Sequence, residues 1–150
     1  MGVKKIRRAI FIVVYTQTKQ GIKYLILKRK LHWKGWEFPK GKVENFEIFN
    51  KKKTALREVE EETGLKPLKK TLKKYKVSGR YLYKLKLKDR SEYAGQTYTL
   101  FSVEVPFSKK LKFDKKEHSS GKWVTFRPAS KMLTWQNQKK CLKIVNKEIQ

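Results

Sequence analysis

A single cysteine, two histidines and four prolines are all that this 150-residue chain holds of those residues. Cys141 stands alone, so no disulfide can form within the chain and a cysteine-built zinc site has no basis. Long apolar runs are also missing. The longest spans Ala9 to Tyr15, far short of the roughly 20 residues that a membrane-spanning helix requires. The charged start is followed by too short an apolar stretch for a secretory signal, and no small-residue cleavage pattern follows it. The cytoplasm is the simplest expected location. Acidic residues are scarce too: 13 Asp and Glu stand against 39 Lys and Arg, leaving a net charge of +26. Such a surface attracts polyanions, among them RNA, DNA and nucleoside polyphosphates. The excess is lysine scattered over the whole chain, so a solubility or genome-wide compositional origin stands beside that reading.

What is present supports a packed core: 39% of residues are hydrophobic and 13% aromatic, in a length suited to one domain, 1–150. Ile6 to Thr16 is rich in β-branched residues and predicts a buried strand, with Ile22 to Lys28 as its hairpin partner across a turn at Gly21. A Gly-containing turn follows Trp36 to Lys40. A helix is predicted over Lys51 to Thr63, with Asn50 as N-cap, Gly64 at its left-handed end and Pro67 barring its resumption. Tyr81 to Lys88 alternates apolar and basic residues and predicts a strand, which pairs with a second over Gln96 to Val105 after a loop at Asp89 to Gly95. Lys122 to Phe126 reads as a short strand. A helical turn then runs from Pro128 to Leu133, and a terminal helix carries Trp135, Leu142, Val145 and Ile149 on one side. The mixed order of elements indicates an α+β or α/β sandwich.

Within this scarcity of acids, Glu58, Glu60, Glu61 and Glu62 fall in five consecutive positions. Helical spacing puts Glu58, Glu61 and Glu62 together on one side, where they repel one another unless a cation neutralises them. The acids also lie toward the helix C-terminus and Lys51, Lys52 and Lys53 toward its N-terminus, the reverse of what the helix dipole favours. Hard carboxylate oxygens in this arrangement suit Mg²⁺ or Mn²⁺ shared with substrate phosphates. The implied chemistry is hydrolysis at a phosphate.

The residues Gly41, Glu47 and Arg57-Glu58-Val59-Glu60-Glu61-Glu62-Thr63-Gly64-Leu65, preceded by Trp36-Glu37-Phe38-Pro39-Lys40-Gly41-Lys42, resemble the signature of the Nudix hydrolases. The lead-in is most similar to members that process dinucleoside polyphosphates such as diadenosine tetraphosphate, or RNA ends. One departure stands out: nine residues, Ile48 to Leu56, separate Glu47 from Arg57 where the family pattern has seven. The extra length falls in the loop before the helix and puts the usual orienting role of Glu47 in doubt. The resemblance implies an α/β/α sandwich with a mixed central β-sheet. It also implies Glu58 and Glu62 as principal Mg²⁺ (or Mn²⁺) ligands, Glu61 joining through metal or water, and a backbone carbonyl near Lys40-Gly41 completing the shell. Arg57 would hold a catalytic Glu through a salt bridge, against the plain alternative of a surface ion pair.

Glu117, in Glu117-His118 ahead of Trp123-Val124, resembles a further family Glu that serves as metal ligand or as base for the attacking water; an exposed loop acid is its ordinary alternative. Glu44, Glu92 and Asp114 are weaker rivals. His118 reads as a loop or phosphate contact rather than a general base, and His32 has no supporting pattern. Lys40, Lys42, Arg29 and Arg80 are candidate phosphate contacts, and Tyr81, Tyr83 and Tyr93 candidate stacking surfaces, although strand alternation makes Tyr81 and Tyr83 core candidates as well. Three functions follow as expectations: a Mg²⁺-dependent hydrolase of nucleoside diphosphate-linked substrates, foremost dinucleoside polyphosphates; an RNA 5′ pyrophosphohydrolase or decapping-type enzyme; and a basic nucleic-acid-binding module without catalysis. The last is disfavoured by an intact acidic cluster. Selectivity for one substrate has no readable code in the loops.

Overall fold

The computed structural model describes residues 5–44, 50–83 and 93–150. Within them lie seven strands: β1 (Lys5–Thr18), β2 (Gly21–Arg29), β3 (Gly35–Glu37), β4 (Lys40–Lys42), β5 (Lys73–Leu82), β6 (Tyr93–Glu104) and β7 (His118–Val124). Three α-helices accompany them, α1 (Lys51–Thr63), α2 (Phe126–Met132) and α3 (Gln136–Ile149), with a 3₁₀ turn at Lys69–Thr71. The strands make one sheet in the order β3-β2-β1-β6-β5, with β4 added to β1 and β7 to β2. β1 and β6 run parallel and every other pairing is antiparallel.

The apolar run that opens the chain explains the layering. Successive side chains of a strand point to opposite faces, so a run with no polar alternation must be covered on both. Ile10, Ile12 and Val14 pack with Leu25, Leu27, Phe101 and Val103 under Ala55 and Val59 of α1. Phe11, Val13 and Tyr15 face the other way, with Tyr24, Ile26 and Leu100, and are covered by Ala129, Leu133, Cys141, Leu142 and Val145 of α2 and α3. The result is the expected α/β sandwich, a mixed central sheet between helices. Among the described residues no helix is long and apolar enough to cross a membrane.

The β1–β2 hairpin and α1 fall where the sequence places them. Asn50 caps α1 by accepting the Lys53 backbone N–H at 3.2 Å, and Gly64 ends it at φ 73° with its N–H on the Glu60 carbonyl at 2.8 Å. Two strands depart from expectation. β5 covers Lys73–Leu82, most of it ahead of the strand expected over Tyr81 to Lys88, with which it shares Tyr81 and Leu82; Lys84 to Lys88 lie outside the described residues. Its exposed lysines interrupt the apolar signal, and antiparallel pairing with β6 supplies what periodicity does not show. The short strand expected at Lys122 to Phe126 begins at His118, because the polar His118 to Gly121 segment pairs with the buried β2; Phe126 instead opens α2. The Gly-containing turn after Trp36 becomes the two short strands β3 and β4 around Pro39, and of the loop expected at Asp89 to Gly95 the described part, Tyr93 to Gly95, belongs to β6.

A Cβ at Gly64 would lie 2.8 Å from Cβ of Lys112 and would have to adopt a left-handed backbone. Gly64→Ala is expected to cost about 1–2 kcal/mol, seen in urea denaturation as a lower midpoint with an unchanged slope.

Candidate active site

The site forms where α1 crosses β4. Lys40, Gly41 and Lys42 pair with Phe11, Ile10 and Ala9 of β1, which brings β4 beneath the helix. Val59 and Ala55 anchor the helix in the core, and Glu58, one residue from that seam, is drawn inward until its side chain is only 9% exposed. Gly41 makes this possible: a Cβ there would overlap the Glu58 carboxylate. The glycine therefore serves close approach rather than a turn. Arg57 ties the layer together, donating from Nη1 to Glu58 Oε1 at 2.8 Å and to Glu61 Oε2 at 3.1 Å, and from Nη2 to the Lys42 carbonyl at 3.4 Å.

A second group of side chains comes from the sheet. Asp114 builds the turn before β7: its carboxylate accepts the Lys116 N–H at 2.8 Å and its carbonyl accepts the N–H groups of Glu117 and His118. The Glu117 carbonyl in turn accepts from Lys30 and Leu31 at the end of β2. Ligand atoms of Glu62, Glu117 and His118 consequently all lie within 4.8 Å of one another. Behind them Glu37 is fully buried. Its Oε2 accepts from Arg29 Nη1 at 3.2 Å and lies 2.7 Å from His118 Nε2, while its Oε1 is 3.1 Å from Lys40 Nζ. Arg29 Nη1 also lies 3.7 Å from Glu117 Oε2, and its Nε donates to the Leu31 carbonyl at 2.9 Å.

Charge is distributed unevenly over these carboxylates. Burial alone would raise Glu37, but Lys40, the hydrogen bond with His118 and Arg29 together hold it down at about 2. Glu58 is pushed up to about 7, chiefly by burial, with Glu61 and Glu117 adding repulsion and Arg57 opposing. Glu62 is pushed up to about 8 by burial and then by Glu117, Glu58 and Glu37, with Arg29 opposing. Oε2 of Glu62 and Nδ1 of His118 are both buried with no hydrogen-bond partner. Orphaned acceptors facing crowded, desolvated carboxylates are the local deficit that a bound cation corrects.

The three helical carboxylates thus occupy different surroundings, although their spacing put them on one side. Glu58 and Glu62 turn inward toward Glu117, whereas the Glu61 side chain is 57% exposed and paired with Arg57. Of the expected substrate contacts, Lys40 is engaged by Glu37, Lys42 Nζ lies 5.4 Å from the Tyr93 ring centroid, and the Tyr83 hydroxyl donates to Gln96 Oε1 at 2.9 Å. Arg29, expected as a phosphate contact, is instead a buried partner of Glu37, its side chain 1% exposed. His118, expected in a loop, is buried at the head of β7. Glu47 and Glu92 lie outside the described residues. Glu37 went unassigned in the sequence; the available signal was a lone acid between Trp36 and Phe38 in an otherwise apolar segment.

The NUDIX domain family matches residues 5–143, and the chain belongs to that family. It is a Nudix hydrolase, an enzyme acting on phosphate-containing substrates. No curated protein matches the sequence. Among solved structures, the C. elegans Ap4A hydrolase in a binary complex is similar at 20% identity and a TM-score of 0.72, covering 96% of this chain and 98% of that one. The NUDIX domain of Shewanella oneidensis NrtR complexed with ADP ribose is similar at 14% identity and a TM-score of 0.75, covering 99% and 91%. The E. coli dihydroneopterin triphosphate pyrophosphohydrolase is similar at 21% identity and a TM-score of 0.73, covering 93% and 97%. At these identities the likeness is one of fold.

Glu58 and Glu62 hold protons more tightly in the folded chain than at their ordinary value of 4.5. Their contribution to stability is therefore complete below pH 4.5 and lost as the pH rises through 7 to 8. Glu37 has the opposite sign, contributing above 4.5 and losing its contribution as the pH falls through about 2. In EDTA, the free energy of unfolding is expected to fall between about pH 5 and 9 by an amount on the order of a few kcal/mol, seen as a falling thermal midpoint. Glu62→Gln should flatten that fall and melt above the wild type at pH 9.

Proposed function

We propose that the enzyme uses a divalent cation, Mg²⁺ or Mn²⁺, to cleave a phosphoanhydride bond in nucleoside diphosphate-linked substrates, with dinucleoside polyphosphates as the substrate class. The observation that carries this reading is the grouping of Glu62, Glu117 and His118, whose ligand atoms lie within 4.8 Å of one another, next to a buried Glu58 that feels the charge of Glu117. The residues fit such a cation: the donors are hard oxygens, Glu62 keeps an orphaned oxygen, and Gly41 leaves no side chain between β4 and Glu58. Glu58, Glu62 and Glu117 would hold it, with Glu61 at the solvent-facing margin. When bound, the ion supplies charge neutralisation at the phosphate oxygens and a more acidic bound water.

The chain's own residues then divide the remaining work. Arg57 fixes Glu58 and Glu61 against the helix and against the Lys42 carbonyl, so that neither carboxylate swings away when substrate charge arrives. Glu117, whose side chain is 30% exposed, has two carboxylate oxygens, and the one not given to the ion is assigned to take a proton from an attacking water; reach is the first requirement for that role. Lys40, its side chain 12% exposed and 3.1 Å from Glu37, adds positive charge from below to offset that of incoming phosphates. The dinucleotide class is supported by the lead-in Trp36 to Lys42; the fold is shared equally with an Ap4A hydrolase and with proteins of other ligands.

RNA 5′ pyrophosphohydrolysis or decapping is a second reading, favoured by the net charge of +26 and by the exposed Lys73, Lys74, Lys76 and Arg80 along β5. A product assay decides between them. Purified protein with Mg²⁺ is offered diadenosine tetraphosphate, nucleoside triphosphates, ADP-ribose and triphosphorylated or capped RNA. The expected outcome is cleavage of diadenosine tetraphosphate into nucleotides, with Glu62→Gln reducing kcat by about 100-fold or more. RNA cleavage that weakens steeply with salt would favour the second reading. Binding of RNA without any cleavage would leave only the non-catalytic module, and a fully active Glu62→Gln would refute the metal site. Gly41→Ala should displace Glu58 and weaken Mn²⁺ binding by about 10-fold or more, measured by calorimetry.

A further inference from the structure

We infer that His118 is itself a ligand of the cation, through Nδ1, making the centre a mixed imidazole and carboxylate site rather than one built from oxygens alone. The inference rests on the metal-dependent reading above and concerns which atoms this chain brings to it.

The ring is 2% exposed. Nε2 lies 2.7 Å from Glu37 Oε2. Glu37 is an acceptor only, since its carboxylate is held ionised between Arg29 and Lys40, and Nε2 is therefore the nitrogen that carries the proton. In the neutral ring this leaves the lone pair on Nδ1. That atom is buried, has no hydrogen-bond partner, and faces Glu62 Oε2 across 3.6 Å; the Glu62 oxygen has no hydrogen-bond partner either.

Once Glu62 is ionised, as a ligand must be, two buried acceptors face each other, an arrangement that is unfavourable until a cation joins them. The separation is too long for a hydrogen bond and short enough that both atoms could turn to one ion. A Glu117 oxygen completes the trio within 4.8 Å. The support behind the ring has the form that metal-bound histidines usually have, the distal N–H donated to a carboxylate that sets tautomer and orientation. Glu37, otherwise an expensive charge at the bottom of the sheet, acquires a purpose in this arrangement. An imidazole ligand shifts preference from Mg²⁺ toward Mn²⁺ and its transition-metal neighbours, because Mg²⁺ is selective for oxygen.

The test is electron spin-echo spectroscopy of the Mn²⁺-loaded protein, with and without ¹⁵N-labelled histidine. The chain has two histidines, so the signal can be assigned by substitution. A directly coupled nitrogen should appear in the wild type, change on ¹⁵N labelling, persist in His32→Gln and vanish in His118→Gln. Because the isotope experiment uses the wild type, it stands even where a variant folds poorly. Calorimetry adds a second readout: His118→Gln should lower Mn²⁺ affinity by about 10-fold or more while changing Mg²⁺ affinity less. Bound Mn²⁺ without histidine nitrogen coupling would overturn the inference and leave the metal-dependent hydrolase intact. Equal loss of both metals in His118→Gln would also overturn it. No Mn²⁺ binding by the wild type would overturn the inference and the reading beneath it.

Discussion

Glu58 wedged between α1 and Gly41 is the contact from which the site's other properties derive. A helix packed on a sheet through Ala55 and Val59 is an ordinary arrangement, stabilised by removing apolar surface from water. Placing a carboxylate at the edge of that seam is not, because desolvation opposes its charge. The chain accommodates it by deleting a side chain from the facing strand and by laying Arg57 across the junction. The guanidinium then has two carboxylates and a backbone carbonyl to satisfy, so its neutralising power is shared and Glu58 remains undercompensated.

Compensation is concentrated instead one layer deeper, at Glu37. Arg29, Lys40 and His118 all meet that one carboxylate, while Glu62, with the greater need, has only a distant Arg29 and a facing imidazole nitrogen. Removing a partner from a buried cluster of this type leaves a charge stranded, which costs far more than the cluster contributes intact. The arrangement therefore places two cations around the one deep carboxylate under a cavity whose own carboxylates are underneutralised, a distribution suited to receiving a cation rather than to maximising the stability of the empty chain.

Legibility in the sequence followed the range of the interactions involved. Both ends of α1 could be read because Asn50 and Gly64 act on their immediate neighbours, and the crowding of Glu58, Glu61 and Glu62 could be read because helical spacing is local. The first part of β5, Lys73 to Arg80, went unread because its register comes from β6, and lysines on an edge strand look like loop in isolation. The membership of His118 was hidden for the same reason: its partner Glu37 lies 81 residues away, and only the pairing of Arg29 with His118 across β2 and β7 brings them together. Spacing likewise could not separate Glu61, which turns to solvent, from Glu62, which turns inward, since that depends on how far the helix is rolled onto β4.

The parallel pairing of β1 with β6 has its own consequence. A parallel pair cannot be closed by a tight turn, so the chain between the two strands must cross the sheet; α1 and β5 both lie in that crossover. β7 is tied to the same hairpin from the other side, pairing with β2 from Tyr24 to Arg29, while the Glu117 carbonyl accepts from Lys30 and Leu31 just beyond it. The carboxylates of α1 sit over β4, which pairs with β1, and Glu117 with His118 sits on β2, so both sides of the site are referred to the β1–β2 hairpin. A disturbance of that hairpin would shift the two sides of the site against each other even where neither side chain is touched.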